Sequence, residues 1–324
     1  MQKQWHLPLY TIVSIACILL ITAVFAGCSA PAPQAATAPV TAAATVQPAA
    51  PTPLPTEVTA PVTATATPAP TTSAVTTAPA PVYTPSEKTL IVYTAASLKG
   101  VSKKLGTEFS RMYPGHSVTF NLDGTQALKT QVENGAYADV FISASNSYTN
   151  TLKGEGYFIN STVKPLTTNY VIVIVPATNP GNIKTLSDLA TPGKKIAMAG
   201  STVPVGTATY AALANLAKST YGSEWNKSVF SNVVTYENAE PAVATKVSLG
   251  EVDAGFVYES TYTAAPAGTL TAISIPKADN YLQTYTIGVM RQTKNSGVAQ
   301  EFTDFMLGSS GQQILNEYGF RPAS

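Results

Sequence analysis

Apolar and polar positions follow two alternating rhythms along the chain after residue 87. Short apolar or β-branched runs predict strands, and most are followed by stretches with apolar residues three and four positions apart, which predict helices. In the first such helix one face carries Leu98, Val101, Leu105, Phe109 and Met112. The later run "YVIVIVP" is apolar throughout and ends at proline, a pattern typical of a strand buried on both faces.

The predicted strands alternate with predicted helices to the end of the chain. The strands are TLIVYT, HSVTFNL, ADVFIS, YVIVIVP, KKIAMA, NVVTY, DAGFVY, TLTAISI and YLQTYTIGVM. The helices include TQALKTQVENG, SYTNTLKGEG, GTATYAALANLAKSTYG and AEPAVATKVSLG, and the tail SGVAQEFTDFMLGSSGQQILNEYGF predicts two more. This alternation predicts an α/β fold with parallel sheets. Ligands bind beyond the carboxyl ends of the strands in such sheets, so residues just after each strand are candidates for a site.

A different pattern marks the N-terminus. An apolar run at about 9–25 follows Lys3, ends at small residues and precedes Cys28. This order predicts a secretory signal peptide over 1–27. Its ending resembles a lipobox, in which Cys28 would become the lipidated first residue of the mature protein. An uncleaved membrane anchor is the alternative. Either way we expect the rest of the chain on the extracellular face of the cell membrane.

Between this segment and the strands lies a long stretch, 28–86, that is rich in Pro, Ala and Thr. Glu57 is its single charged residue. This composition predicts a disordered, semi-rigid spacer biased towards the polyproline II conformation. We therefore expect a tether that holds a folded part, 87–324, away from the membrane.

Composition excludes several classes of function. Charged residues make up 11% of the 324 residues and the formal net charge is +1, so no basic face for nucleic acid is expected. Both cysteines, Cys17 and Cys28, precede the folded part, which therefore has no disulfide or thiol nucleophile. The two histidines, His6 and His116, lie in the signal segment and before a strand, so neither a Ser-His-Asp triad nor a His-rich metal site is expected. We expect a protein that is not an enzyme, needs no cofactor and is a monomer.

The residues that follow the strands are mostly small or hydroxylic. Ser97 follows the first strand and Thr125 the second, and each opens a predicted helix. The first turn of a helix leaves backbone N–H groups unpaired, and the helix dipole favours negative charge there. Several such turns meeting at one point would bind an anion without Lys or Arg. Ordinary N-capping is the alternative for each residue taken singly.

Several motifs in order resemble one known family. The segments "VYTAASL", "GTQALKTQVENGAYADVFISAS", "VPVG", "GEVDAGFVYES" and the closing "EYGF" are similar to those of molybdate-binding proteins of ABC importers, from about 88 to 320. The resemblance implies a type II periplasmic-binding-protein fold, with two α/β lobes joined by a hinge. The lobes would comprise about 87–168 with 264–324, and about 169–263. It also implies extracellular binding of molybdate or tungstate and delivery to an ABC transporter permease.

The same resemblance implies the residues that hold the oxyanion. Ser97 would donate its hydroxyl and N–H groups, and so would Thr125, where many relatives have serine. Val205 would donate a backbone N–H, as would the residue at Glu240. Tyr258 would donate its phenol.

Two carboxylates depart from an all-donor pocket. Glu240 stands where many relatives have an apolar residue, and Asp123 precedes Thr125 by two positions. A carboxylate facing a dianion is unfavourable unless it turns away, is protonated or coordinates the metal. We expect Glu240 to face outward from the first turn of its helix, where a carboxylate favours the helix dipole. Direct coordination of Mo or W by Glu240, as a metal ligand, is the alternative.

Other anions and another class of protein stay open at this point. Molybdate and tungstate carry no proton at neutral pH, whereas an all-donor pocket leaves the proton of hydrogen phosphate unpaired, which costs about 1–3 kcal/mol. Sulfate has no proton either, so its exclusion depends on pocket size. A sulfate or phosphate receptor, or a surface adhesion or structural module on a stalk, are therefore the alternatives.

Overall fold

A computed structural model describes residues 83–84 and 86–323. The predicted signal peptide, Cys28 and the linker as far as residue 82 lie outside the described residues. Within the part that is described, no helix is both long enough and apolar enough to cross a membrane.

The strands and helices occur in the predicted alternation. The strands are β1 (Thr89–Ala95), β2 (Ser117–Asp123), β3 (Val140–Ser143), β4 (Lys164–Pro176), β5 (Ile196–Ala199), β6 (Val233–Glu237), β7 (Ala254–Tyr258), β8 (Leu270–Ser274), β9 (Leu282–Val289) and β10 (Arg321–Pro322). The helices are α1 (Lys99–Met112), α2 (Thr125–Glu133), α3 (Asn146–Gly154), α4 (Pro204–Leu216), α5 (Gly222–Ser231), α6 (Glu240–Ser248), α7 (Glu259–Thr263), α8 (Ser296–Leu307) and α9 (Ser309–Glu317).

The long strand β4 belongs to two groups of strands. Its first half pairs with β9, and the order β2-β1-β3-β9-β4 forms what we call the first strand group. Its second half pairs with β7 and β8, and the order β4-β7-β5-β6 forms the second strand group. One continuous strand thus supplies main-chain hydrogen bonds to both groups.

Burial follows the predicted pattern in the core elements. Residues from Val171 to Val175 in β4 are at most 6% exposed, which confirms a strand covered on both faces. The predicted face of α1 is buried as well, except for Met112, which is 41% exposed. The prediction is wrong for Met112 because α1 ends at that residue.

The prediction of parallel sheets is correct for only part of the strands. Parallel pairing is found between β1 and its neighbours β2 and β3, and between β5 and its neighbours β6 and β7. Strand β9 runs antiparallel to β3 and β4, and β4 runs antiparallel to β7 and β8. Strand β9 follows β8 through a loop without a crossover helix, and such a loop does not impose parallel pairing.

The helix predicted over 206–222 is followed directly by a further helix. Helix α4 continues into a π-helical turn, Ala217–Tyr221, and α5 begins after it at Gly222, whose φ of +82° falls in the left-handed region. The sequence pattern did not predict α5, which packs Trp225 and Val229 into the core. Only these two residues of α5 are buried, so few apolar positions mark this helix in the sequence.

The predicted lobe boundaries remain a prediction. Strand β8 lies within 264–324, the range expected in the first lobe, and it pairs with the second half of β4.

The start of α4 lies directly against the end of β5. At Gly206 a Cβ atom would overlap the carbonyl oxygens of Gly200 and Ala199. Only a residue without a side chain allows this approach, which fixes the position of the first turn of α4.

We therefore expect Gly206→Ala to lower the free energy of unfolding by about 1–3 kcal/mol, the usual effect of overpacking. Gly297→Ala is the matched control, because Gly297 also lies in the first turn of a helix and a Cβ there meets nothing within 4 Å. The control should be neutral or slightly stabilising, since alanine has the higher helix propensity. Urea unfolding measures both, and equal stabilities would contradict the close approach.

Candidate functional site

One cavity gathers every residue that the sequence analysis assigned to an oxyanion site. It is lined by Ala95, Ala96, Ser97, Gly124, Thr125, Ala144, Val203, Pro204, Val205, Glu240 and Tyr258. The roles of Ser97, Thr125, Val205, Glu240 and Tyr258 in binding remain predictions, but their common location is a structural fact. They come from five separate strand–helix junctions.

Helix starts surround this cavity. Helices α2, α4 and α6 begin at or beside lining residues, and the short 3-10 helix Ala96–Leu98 leads into α1. Each start carries a partial positive charge from the helix dipole. Among the described residues, no Lys or Arg lines the cavity. The positive potential inside therefore comes from the backbone.

Backbone donors are available at these helix starts. Within the described part of the chain, the N–H groups of Ser97, Thr125, Val205 and Glu240 meet no hydrogen-bond acceptor. Each lies at the start of a helix, where an intrahelical partner is missing. Such N–H groups bind anions well because the helix already points them at the ligand and the helix dipole favours negative charge there.

The hydroxyl groups of the cavity do not act as ordinary helix caps. The N-cap of α2 is Gly124, and the N-cap of the 3-10 helix is Ala95, so neither is capped by a side chain. The Oγ1 of Thr125 instead accepts the N–H of Ala144 at 3.1 Å. Since that oxygen is the acceptor, its own proton is free to be donated. The N-capping alternative is therefore wrong for Thr125 and for Ser97.

Ser97 is held by a residue that the sequence analysis missed. Its Oγ lies 2.8 Å from the phenol oxygen of Tyr285 in β9, and both side chains are buried. Burial raises the pKa of Tyr285 well above its usual range, so the phenol keeps its proton. When that proton goes to Ser97, the serine hydroxyl can donate into the cavity. Tyr285 carries no sequence signal for this role, since the contact depends on the pairing of β9.

Tyr258 is the last residue of β7 and is 1% exposed. Its phenol donates to Oε1 of Gln283 over 3.3 Å, longer than is usual for a hydroxyl donor. Its ring packs edge-to-face against Tyr285, with 6.0 Å between centroids. Because this hydrogen bond to Gln283 is weak, the Tyr258 phenol can donate to a charged acceptor instead.

The expected outward orientation of Glu240 is wrong. Its side chain is 3% exposed, and Oε1 accepts the N–H of Tyr258 at 2.6 Å. Among the described residues Oε2 has no hydrogen-bond partner, although the Thr261 hydroxyl lies near the carboxyl. Burial raises the pKa of Glu240 to about 7, and the contacts with Tyr258 and Thr261 oppose that rise in part. The bond to Tyr258 explains the orientation, because it ties α6 to the end of β7.

Asp123, the other carboxylate of concern, does not line the cavity. Its Oδ1 accepts the N–H of Gly124 at 2.7 Å. Within the described residues, no cluster of three or more His, Cys, Asp or Glu side chains could hold a metal ion.

Two hydrogen bonds bridge the rim of the cavity. Gln126 in α2 donates from Nε2 to the carbonyl oxygen of Asn238 at 2.8 Å. Tyr148 in α3 donates its phenol to the carbonyl oxygen of Thr202 at 2.7 Å. Both donors follow strands of the first strand group, and both acceptors lie in loops of the second strand group. These side chains connect the two groups across the cavity.

Comparison with known proteins points to transport receptors. The family model described as bacterial extracellular solute-binding protein matches residues 90–321. The molybdate-binding protein ModA of Mycobacterium tuberculosis is 29% identical over 237 residues, which cover 73% of this chain and 86% of the relative. The Bacillus subtilis lipoprotein YvgL, assigned as an ABC transporter substrate-binding protein, is 26% identical over 73% of this chain and 88% of its own.

A solved structure supports the same fold. The substrate-binding domain assigned to a molybdenum ABC transporter from Clostridium difficile aligns with a TM-score of 0.57 and 28% identity. The alignment covers 73% of this chain and 99% of that one. The chain thus has the periplasmic-binding-protein fold that the sequence analysis predicted.

The buried carboxyl of Glu240 predicts a pH-dependent stability. Its pKa rises from 4.5 to about 7 on folding, so the folded state binds more protons between those values. The free energy of unfolding should therefore fall as pH rises from about 4.5 to 7, by up to about 3 kcal/mol from this group. Glu240→Gln should be more stable than the wild type at pH 8, and this advantage should vanish near pH 4.

Urea unfolding across that pH range measures the difference, with the exposed Glu251→Gln as the control. The same pH dependence in wild type and Glu240→Gln would show that the carboxyl is solvated.

Proposed function

Because the chain belongs to the bacterial extracellular solute-binding proteins, we propose that it binds molybdate or tungstate outside the cell and delivers it to the permease of an ABC importer. Membership in this family makes it a ModA-like transport receptor rather than an enzyme. The observation that carries the proposal is the cavity, in which unpaired donors from separate helix starts meet without a cation. The name of the Mycobacterium tuberculosis relative agrees with this choice of ligand.

The chemistry of the donors suits a fully deprotonated oxyanion. Each N–H or hydroxyl can meet a lone pair of the anion, and hydrogen bonds to a charged partner are stronger than neutral ones. The site would hold the anion through Ser97, Thr125, Val205, Tyr258 and the N–H of Glu240. Preformed donors in a buried cavity need little reorganisation, which favours tight binding.

Phosphate is the second candidate, and a specific observation favours it. The free Oε2 of Glu240, when ionised, can accept the proton of hydrogen phosphate. The cavity is then not composed of donors alone, and the argument against phosphate weakens. A direct comparison of the anions is needed to decide between them.

We also propose how the receptor is placed. Lipidation of Cys28 would anchor it to the membrane, and the linker over 28–86 would hold the binding part away from the surface. Lipoprotein status of the Bacillus subtilis relative supports this arrangement. The two lobes would close over the cavity, and one chain would meet one permease.

The first test is calorimetric titration of the full-length chain in mild detergent with molybdate, tungstate, sulfate and phosphate. We expect tight one-to-one binding of molybdate and tungstate, and no comparable binding of the other two anions. Tight binding of phosphate or sulfate with silence from molybdate would support the second candidate class of ligand. Silence from all four anions would contradict the proposal.

A single hydroxyl should carry a measurable share of the affinity. Ser97→Ala removes one donor to a charged ligand, so molybdate binding should weaken by about 1–3 kcal/mol, or roughly 5- to 150-fold. Ser102→Ala is the matched control, because Ser102 lies in α1, bonds the carbonyl of Lys99 and does not line the cavity. The control should bind within about twofold of wild type. An unchanged affinity in Ser97→Ala would remove Ser97 from the site.

A further inference from the structure

The cavity that is proposed to bind a dianion has one acidic residue in its lining. Among the described residues that line the cavity, only Glu240 has an acidic side chain. An ionised carboxylate beside a dianion at this depth would be strongly repulsive, since water does not screen the two charges. The placement of Glu240 therefore constrains its protonation state in a complex.

The two oxygens of the Glu240 carboxyl have different hydrogen-bond partners. Oε1 accepts the N–H of Tyr258 at 2.6 Å, so it must present a lone pair and cannot carry the proton on that side. Oε2 is fully buried and has no partner among the described residues. The Thr261 hydroxyl lies near the carboxyl but makes no hydrogen bond to Oε2 in the described structure, so a proton on Oε2 would be available to a ligand.

Among the described residues no cation forms an ion pair with Glu240, and Lys99, which follows the 3-10 helix packed against α6, is exposed. On the elements packed against α6, Glu237 pairs with Lys246 at 2.8 Å, and Glu259 pairs with Arg321. Lys164 is exposed at the start of β4.

The titratable groups that face Glu240 are phenols. Tyr258 lies beside its carboxyl and Tyr285 beside Ser97, and both are kept neutral by burial, which raises their pKa values. The remaining neighbour, Thr261, is neutral. In the described structure, therefore, only the dipole at the start of α6 and the hydrogen bonds to the carboxyl favour the charged form, and burial outweighs them.

On the basis of the proposed function, we propose that Glu240 is a neutral hydrogen-bond donor in the complex, whose Oε2–H binds an oxygen of a fully deprotonated oxyanion. Where the free site is ionised, binding takes up one proton from solvent, and the proton stays on Oε2. The ligand class that this residue selects is an oxyanion without a proton of its own. Hydrogen phosphate would compete for the same position with its own proton.

Burial already raises the pKa of Glu240 to about 7, so the proton is available near neutral pH. Below pH 7 the free site is mostly protonated and the affinity should be constant. Above pH 7 each binding event must take up a proton, and the affinity should fall about tenfold for each pH unit.

Glu240→Gln is the matched variant for this test. The amide oxygen of glutamine can accept the Tyr258 N–H, and its NH₂ can donate at the position of Oε2–H at every pH. We expect wild-type affinity for molybdate to fall roughly 30-fold between pH 6 and pH 8.5, on the basis of a pKa of about 7. The affinity of Glu240→Gln should change less than about threefold over the same range.

Calorimetry in two buffers of different ionisation enthalpy counts the protons directly. At pH 8 the full-length wild type should take up about 0.9 proton per molybdate bound, given a pKa of about 7. Glu240→Gln should take up none. This count on the wild type remains decisive if the variant does not fold.

Three results would overturn the inference. Equal pH profiles in wild type and Glu240→Gln would mean that the carboxyl does not change charge on binding. Loss of binding in Glu240→Gln, together with a flat wild-type profile, would indicate an ionised Glu240 that coordinates the metal. No molybdate binding by wild type at any pH would remove the proposed function itself, an outcome distinct from the other two.

Discussion

Unpaired N–H groups at helix starts are the constraint from which the rest of this structure follows. Such groups are costly to bury without a partner, yet the fold brings those of Ser97, Thr125, Val205 and Glu240 to one cavity. Parallel strands within each strand group place these helix starts at the same edge, and β4 joins the two edges. A bound anion, as proposed, would satisfy them all at once. A buried cation would be redundant here, which agrees with a chain whose charged fraction is only 11%.

Glu240 contributes to the stability of the structure and, in the proposed complex, to recognition of the ligand. Its Oε1 holds the N–H at the junction of β7 and α7, so removing the side chain would loosen the segment that presents Tyr258. Its Oε2 has no hydrogen-bond partner among the described residues and is the oxygen that the proposal assigns to the ligand. A donor-rich cavity accommodates a carboxyl because a protonated carboxyl is itself a donor. The same side chain therefore supports the wall and belongs to the pocket.

Local pattern was sufficient for most elements and for singling out Ser97 and Thr125, whereas Val205, Glu240 and Tyr258 were expected from the family resemblance. The face of α1 through Leu105 and Phe109 and the buried run in β4 follow from periodicity, and Thr125 follows from its place after a strand. Three features depend on contacts between segments that are distant in sequence, and they could not be predicted from the local sequence pattern. The contact of Tyr285 with Ser97 requires β9 to run antiparallel beside β3. The inward turn of Glu240 requires the end of β7 as a partner. Strand direction itself leaves no trace in apolar spacing.

The hydrogen bonds of Gln126 and Tyr148 at the rim of the cavity bear on two separate properties of a receptor, the choice of anion and its residence time. Both end on main-chain carbonyl oxygens, so substitutions at Asn238 or Thr202 leave the acceptors in place. Neither donor lines the cavity, so neither distinguishes one anion from another. If the two strand groups moved apart to release a ligand, both bonds would have to break, so they would oppose the escape of any occupant equally. In the proposed receptor, the lining of the cavity would therefore decide which anion binds, and the rim bonds would affect how long it stays. Substitutions could change one property without changing the other.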